Sequence, residues 1–161
     1  MDELDYQILK YLKENSRIRI SSISQKVNLS VTAVIDRIRK LENSGIIKQY
    51  TTVIDPEKIG KDITAFISVS LEHPKYNDEF ISMVTQNNEI LECHYITGDY
   101  DFLLKVITGG SGSLERALAY IKGLHGVAIT RTLVVLSTVK SEISILPEVQ
   151  KSKKNEREKK A

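Results

Sequence analysis

The sequence predicts an α+β protein in two parts, a helical part followed by a small antiparallel sheet with helices on one face. From the start of the chain to Gly45, apolar side chains recur at intervals of three and four, which is the spacing of amphipathic helices. From Ile63 to Leu71, apolar and polar side chains alternate, as they do in a strand with one buried face. The elements that follow complete the order βαββαβ, so we predict a ferredoxin-like second domain.

The first helix is predicted over residues 2–14. Its buried side is predicted to comprise Leu4, Ile8, Leu9, Tyr11 and Leu12. Three acidic residues crowd its amino-terminal end, where the helix dipole favours negative charge: Asp2, Glu3 and Asp5.

The stretch Ser21–Gly45 is predicted to form two further helices joined by a very short turn. Ser21 is a suitable N-cap for the first of them. Asn28 lies at the chain reversal, because asparagine is one of the few residues besides glycine that tolerate positive φ. Ser30 is a suitable N-cap for the second helix, and Gly45 ends it.

The second helix of this pair has one apolar and one polar face. Its apolar stripe is predicted to contain Val31, Val34, Ile35, Ile38 and Leu41. This is the build of a helix-turn-helix motif, in which the amino-terminal half of the second helix reaches base edges. The alternative is a helical hairpin whose polar face is only solvated, and the two-helix pattern alone leaves both open.

Between the two parts the chain is predicted to form a strand and a linker. Ile46–Ile54 is rich in β-branched and aromatic residues, which predicts a strand or wing and hence a winged helix-turn-helix domain. A turn at Asp55-Pro56 follows, and we place the domain boundary near Gly60. The predicted organisation is 1–50 helix-turn-helix domain, 51–62 strand and linker, 63–146 sheet domain and 147–161 basic disordered tail.

The sheet domain is predicted to place two helices on one face of its sheet, with Ser113 as the N-cap of the second helix. In its later strands, apolar residues occur at both odd and even positions, so both faces of the sheet carry apolar side chains. The face without helices is therefore expected to pack against a second copy in a homodimer. The alternative is that a bulge shifts the alternation within a strand, so that residues have been assigned to the wrong face. After Ile63–Leu71, the predicted elements are a helix from Tyr76 to Asn87, strands Ile90–Thr97 and Phe102–Thr108, a helix from Ser113 to Gly126, strand Val127–Leu136, and Val139–Ile145 as the candidate for a fifth strand.

The net charge of +2 is unevenly distributed. Residues 1–62 carry eleven Lys and Arg against nine Asp and Glu, residues 63–150 six against ten, and residues 151–161 six against two. A nucleic-acid surface is therefore expected in the first part, because the acidic middle would repel phosphates.

The single cysteine, Cys93, excludes an intramolecular disulfide and is expected to be a buried thiol. No apolar run approaches the ~20 residues of a membrane span, so we expect a cytoplasmic, nucleoid-associated protein.

Several stretches occur together in a fixed order: LDYQILKYLKENSR, ISQKVNLSVTAVIDRIRKLENSGIIKQY, the Asp55-Pro56…Ile59-Gly60 turn, TGDYDFLLKV, and GV followed by TLVVL and VK. Each stretch alone is weak evidence for any family. In their order and spacing, however, the sequence resembles the Lrp/AsnC (leucine-responsive, feast/famine) family of bacterial and archaeal transcription regulators. The resemblance covers nearly the whole chain, from about Leu4 to Lys140. Two features depart from the pattern, the glycine-rich loop Gly109–Gly112 and the basic tail.

The resemblance implies a DNA-binding first domain and a RAM/ACT-like second domain that binds a small-molecule effector, usually an amino acid. It also implies dimers that assemble further, often to octamers, on roughly palindromic double-stranded DNA. No metal and no cofactor besides the amino-acid effector are expected. The resemblance thus assigns the sheet domain to both effector binding and oligomerisation.

For DNA, groove contacts are predicted at Ser30, Thr32, Ala33, Asp36 and Arg37. Arg37 is expected to pair with guanine, and Ala33 to meet a thymine methyl group. The alternative for Arg37 is an ion pair within the chain, with Asp36 or Glu42. Phosphate contacts are predicted at Ser21, Ser22, Arg39, Lys40 and Lys48.

For the effector, the resemblance assigns the turn Gly98, Asp99, Tyr100 and Asp101 and, on the last strand and beyond, Thr132, Val134, Val135 and Thr138. Asp99 or Asp101 would receive an α-ammonium group, while backbone N–H groups of the turn would receive an α-carboxylate. From the residues alone, Gly98-Asp99 is also a good hairpin turn without any ligand.

Catalysis is not expected, because the three histidines, His73, His94 and His125, are scattered and no nucleophile–base pair is visible. His94 is interpreted as a packed or interface histidine. Two alternatives stay open at this point. Some relatives of the family are haem-precursor decarboxylases, and an effector-free architectural DNA-binding protein would differ only in lacking a ligand-dependent change.

Overall fold

The computed structural model describes residues 1–148, which form two compact units. The first unit comprises Met1–Val53 with the described residues from Ser141 onward, and the second comprises Ile54–Lys140. The tail predicted at 147–161 lies outside the described residues, apart from Pro147 and Glu148. None of the helices in the described part is long and apolar enough to cross a membrane.

In its described part, the first unit is built from three helices: α1 Glu3–Glu14, α2 Ile20–Val27 and α3 Val31–Asn43. Their apolar stripes meet in a core formed by Ile8, Ile23, Val27, Val34, Ile38 and Leu41. Val31 departs from the predicted stripe of α3, since its side chain is 44% exposed at the first residue of the helix. The three-helix arrangement is otherwise as the apolar spacing predicts.

Helix α2 begins two residues earlier than an N-cap at Ser21 predicts, so Ser21 is not its N-cap. The N-cap position belongs to Arg19, whose side chain makes no capping hydrogen bond. Ile20 joins the helix because its side chain packs against the first-unit core, and this apolar contact outweighs the missing cap. Ser21 and Ser22 consequently lie in the first turn of α2.

The strand predicted at Ile46–Ile54 does not form in the described structure. A strand needs a neighbour to satisfy its backbone groups, and no strand of the described residues runs beside this segment. It is held by α3 instead: the N–H of Ile47 donates to the Leu41 carbonyl at 3.1 Å. The predicted fifth strand, Val139–Ile145, is absent from the described structure for the same reason.

The second unit is a single antiparallel sheet with two helices on one face. Phe80 and Val84 from one helix, and Ala117 and Ile121 from the other, pack on the same sheet core. This confirms the predicted βαββαβ order, with strands ordered β2-β3-β1-β4. The elements are β1 Ile63–Leu71, α4 Asn77–Thr85, β2 Ile90–Tyr95, β3 Phe102–Thr108, α5 Ser111–Lys122 and β4 Val127–Val134.

Helix α5 begins two residues before the predicted cap, Ser113. Gly110 occupies the N-cap position, and the Ser113 hydroxyl donates to its carbonyl at 2.8 Å instead of accepting from the helix backbone. Helix α4 is preceded by a 3₁₀ turn, Pro74–Tyr76, which takes up the start of the predicted helix. A second 3₁₀ turn, Glu57–Ile59, precedes the sheet.

Candidate DNA-binding surface and ligand site

The turn between α2 and α3 has the conformation that the sequence predicts. Asn28 lies in the left-handed region, with φ 53° and ψ 47°. Ser30 caps α3, because its Oγ accepts a hydrogen bond from the Ala33 N–H at 3.1 Å. Ser24 is buried, and its carbonyl accepts from the Leu29 N–H at 3.1 Å. These contacts fix the short connection that a helix-turn-helix motif requires.

Most residues predicted to contact DNA are accessible on the first unit. Thr32 and Asp36 lie on the exposed side of α3, and Ala33 beside them is half-buried. Asp36 and Arg39 are 4.0 Å apart and both largely exposed, so their ion pair contributes little to stability. The remaining exposed candidates are Ser21, Ser30, Lys40 and Lys48, while Ser22 is half-buried.

Arg37 is the exception, because its guanidinium points at α1. Its Nη1 lies 2.9 and 2.8 Å from the two carboxylate oxygens of Asp2 and 2.6 Å from Oδ1 of Asp5. The predicted guanine contact does not fit this geometry. The alternative, an ion pair within the chain, is correct in that Arg37 does pair with carboxylates of the same chain. Its partners, however, are Asp2 and Asp5 and not Asp36 or Glu42, since sequence spacing does not show which face of α3 meets the start of α1.

The turn predicted to bind the effector is tied to the end of β1. Gly98 adopts φ 116°, which favours glycine. Asp101 Oδ2 accepts from the Leu71 N–H at 2.8 Å, and the Asp101 N–H donates to the Val69 carbonyl at 3.0 Å. One carboxylate oxygen of Asp101 is therefore already engaged. Asp99 is exposed, and within the described residues no hydrogen bond reaches its carboxylate, so it is the better candidate to receive an ammonium group.

The second group of predicted effector residues lies along the end of β4, beside the middle and the start of β1. Val134 pairs with Ala65, and Thr132 pairs with Ile67, whereas the Asp99 carbonyl accepts from the Ser70 hydroxyl at 3.2 Å. Five residues of strand separate Ala65 from Ser70, which is ~17 Å at about 3.3 Å per residue. The described chain therefore does not bring the two groups together. Val135 is half-buried just past β4, Tyr100 is half-buried in the turn, and Thr138 is exposed.

A cavity of about 520 Å³ opens between α5 and the sheet, and only Val134 of the predicted effector residues lines it. Its walls are largely apolar. They comprise Ile63, Ser111, Leu114, Glu115, Leu118, Ala119, Lys122 and Val134.

The face of the sheet opposite the helices, which we call the helix-free face, keeps apolar side chains in contact with solvent. Strand register places Phe66 opposite Leu133, and Ile129 opposite Ser70, on this face. Leu133 is 51% exposed and Ile129 59% exposed. A bulge between Ile90 and Glu92 accounts for the mixed parity of β2, so the bulge alternative is correct for that strand. Leu91 and Tyr95 of β2 are also more than half exposed.

The polar residues of β2 form a small exposed network on the helix-free face. Glu92 accepts from Lys105 Nζ at 2.8 Å and lies 3.2 Å from His94 Nε2. These contacts, that from Lys105 first, hold the pKa of the Glu92 carboxyl below its usual range. His94 is exposed, so it is not packed within the chain, and its assignment to an interface stays a prediction. The described residues contain no cluster able to hold a metal ion. Cys93 is exposed as well, because β2 is an edge strand of the sheet, so the prediction of a buried thiol is wrong. Partial desolvation still raises the pKa of this thiol.

Two family models match the chain along its length. A winged helix-turn-helix DNA-binding model matches residues 1–48, and the Lrp/AsnC ligand binding domain model matches residues 64–145. The chain belongs to the Lrp/AsnC family. The predicted resemblance is thereby confirmed, as is the fold class of a winged helix-turn-helix domain followed by a ferredoxin-like domain.

Relatives within the Lrp/AsnC family align over most of both chains. The HTH-type transcriptional regulator FL11 of Pyrococcus horikoshii is 39% identical over 91% of this chain and 96% of its own. The leucine-responsive regulatory protein of Escherichia coli is 34% identical over 87% of each chain. The structure of a Neisseria meningitidis transcriptional regulator in complex with L-Met superposes with a TM-score of 0.86 at 30% identity, covering 90% of this chain and 96% of that one.

These comparisons establish the general activity of the chain. It is a DNA-binding transcription regulator with a ligand-binding domain, as its Lrp/AsnC relatives are. The comparisons do not test individual contacts with DNA or effector, so the residues named for them stay predictions.

Proposed function

We propose that this Lrp/AsnC regulator recognises a specific double-stranded operator through α3 and that an amino acid modulates this binding. The observation that carries the effector class is the L-Met complex of the Neisseria regulator, which has the same fold over nearly the whole chain. The name of the leucine-responsive relative agrees with it. The reading residues proposed are Ser30, Thr32, Ala33 and Asp36, with Arg39, Lys40 and Lys48 on phosphates.

The proposed effector site uses the Gly98–Asp101 turn, with Asp99 as acceptor of the α-ammonium group. Because Val134 lies at the far end of β1 from the turn, and Thr132 lies beside the middle of that strand, we place a pocket that uses both groups between two copies of the chain. An amino acid bound between copies would favour the assembly that contains the pocket, in proportion to its preference for that assembly.

We propose that two copies of the chain form a homodimer through the helix-free face, so that the dimer carries two helix-turn-helix domains. Support comes from Ile129 and Leu133, which are more than half exposed there although they are large apolar residues. Leu133→Lys should give a monomer in sedimentation analysis. Met83→Lys, on the opposite side of the unit on α4, is the matched control and should leave the dimer intact. A dimeric Leu133→Lys variant would contradict this interface. Further assembly to an octamer would add avidity for longer DNA.

The proposal includes no catalytic step, no metal and no cofactor other than the amino acid, and it places the protein in the cytoplasm with the nucleoid. Its relatives are named as regulators, which supports a binding function.

The test is a gel-shift titration with DNA from upstream of the protein's own gene, at fixed salt, with and without each amino acid. The wild-type chain should bind this DNA at least ~10³-fold more tightly than a scrambled duplex. At least one amino acid should change the affinity or the size of the complex. Thr32→Ala should weaken the preference, whereas Lys10→Ala, an exposed change on α1, should not. Equal binding to both duplexes would overturn the proposal.

A further inference from the structure

Arg37 joins the reading helix to the amino-terminal end of α1. A single guanidinium nitrogen, Nη1, lies within 2.9 Å of both carboxylate oxygens of Asp2 and within 2.6 Å of Asp5. The Asp5 side chain is only 10% exposed, and that of Arg37 is 29% exposed. The Asp2 side chain is 53% exposed, so the contact with Asp5 is the shielded one, and an ion pair shielded from water is weakened little by salt.

The two carboxylates have a second task in the same place. Asp2 Oδ1 accepts from the Asp5 N–H at 2.8 Å, and Asp5 Oδ2 accepts from the Asp2 N–H at 3.0 Å, which forms a reciprocal capping box at the start of α1. The Asp5 N–H, and after it Arg37, hold the pKa of the Asp2 carboxyl below its usual range. The cap of α1 and the contact with α3 therefore depend on the same two side chains.

The guanidinium is occupied on the side of α3 that faces α1, away from the exposed side that carries Thr32 and Asp36. A group engaged by two carboxylates would lose both contacts if it turned toward a base or a phosphate, and Asp5 would be left buried without its cation. The contact instead limits how α3 can rotate and tilt against α1.

We propose that Arg37 is a positioning residue for DNA reading, which acts by holding α3 on Asp2 and Asp5 and does not itself contact DNA. This rests on the proposed function of α3 as the reading helix. Loss of the contact lets α3 shift against α1, so several base contacts weaken together. Loss of a direct base contact would instead affect one position of the operator, and loss of a phosphate contact would reduce the salt dependence of binding.

The test is a double-mutant cycle of Arg37→Gln and Asp5→Asn, each measured on the operator and on scrambled DNA over a range of salt concentrations. Gln keeps most of the side-chain volume, and Asn keeps the shape of Asp. Each single variant should lose at least about tenfold in the ratio of specific to non-specific affinity. The double variant should lose little more than Arg37→Gln alone, because Arg37→Gln already removes the contact with Asp5. The slope of log Kd against log salt should match that of the wild type. Glu3→Gln is the control, because it removes an exposed carboxylate from the same first turn of α1 that does not contact Arg37.

Three results would overturn the inference. One is an Arg37→Gln variant with reduced salt slope, or with preference lost at a single base pair, while Asp5→Asn binds as the wild type does. The second is additive losses in the double variant. The third is a wild-type chain without operator preference, which also removes the proposed function and so is distinguishable from the other two. If Arg37→Gln fails to fold by circular dichroism, Arg37→Lys takes its place, and partial retention of specificity is then expected because the ammonium group reaches only one carboxylate well.

Discussion

Asp101 Oδ2 accepts a hydrogen bond from the backbone N–H of Leu71 at 2.8 Å, which ties the start of β3 to the end of β1. The pairing of β1 with β3 ends at Val69 and Phe102, so this N–H lies just past the end of that ladder. A carboxylate here replaces a missing strand partner. A residue that the sequence assigned to effector binding therefore also holds the candidate effector turn in place.

Asp101→Ala should lower the free energy of unfolding by about 1–3 kcal/mol, because the half-buried Leu71 N–H is left without its acceptor. Asp101→Asn keeps an acceptor oxygen and should cost less. Asp99→Ala is the matched control in the same turn, and its exposed side chain predicts no more than about 0.5 kcal/mol. Urea unfolding measures all three, and equal costs for Asp99→Ala and Asp101→Ala would contradict the assignment.

Alanine substitutions at two glycines with positive φ distinguish the cost of backbone strain from the cost of steric overlap. Gly98 has φ +116° and open space around an added Cβ, whereas at Gly126, with φ +81°, the Cβ would lie 2.4 Å from the ring of Tyr76. Gly98→Ala should cost about 1–2 kcal/mol from strain alone, and Gly126→Ala clearly more. Gly112→Ala lies in the first turn of α5 with only ordinary contacts, so it should be neutral or slightly stabilising. Thermal unfolding gives the ranking, and a milder effect at Gly126 than at Gly98 would be inconsistent with the clash.

The parts of the fold that depend on local pattern are predictable from the sequence. Asn28 at the turn, the cap at Ser30 and the alternation through Ile63–Leu71 each follow from residue chemistry within a few positions. The strand expected at Ile46–Ile54 fails because β-propensity is satisfied only when a second strand lies alongside, and none does within the described residues.

The candidate sites are less predictable, because they depend on which residues meet across the fold. The pairing of Arg37 with Asp2 and Asp5 joins positions more than thirty residues apart, and no spacing rule indicates it. In the same way, the family pattern groups Asp99 with Val134, but strand register places them at opposite ends of β1.

Asn28 tests the turn of the helix-turn-helix motif. Asn28→Gly should change the free energy of unfolding by no more than about 0.5 kcal/mol, since glycine adopts φ 53° without strain. Asn28→Ala should cost about 1 kcal/mol, and Asn28→Val more, because a β-branched side chain is disfavoured in the left-handed region. Chemical unfolding of the three variants checks the order, and Asn28→Val as stable as Asn28→Gly would show that the turn relaxes in solution.

Tyr50 should make the first unit sensitive to alkaline pH. Its hydroxyl donates to Glu42 Oε1 at 2.8 Å, and desolvation followed by this contact raises the pKa of the phenol to about 12, from 10.0 when unperturbed. Between these values the unfolded chain releases the proton while the folded chain keeps it, so the free energy of unfolding falls as pH rises from 10 toward 12.

Absorbance titration of phenolate in the folded protein should therefore show one of the seven tyrosines ionising near pH 12, and this step should disappear in Tyr50→Phe. Glu42→Gln removes the neighbouring charge but leaves the desolvation, so the pKa of Tyr50 should fall only part of the way toward 10. The stability of Tyr50→Phe should also decline less over the same pH interval than that of the wild type. If Tyr50→Phe instead removes a phenol that ionises near pH 10, the contact between Tyr50 and Glu42 does not persist in solution.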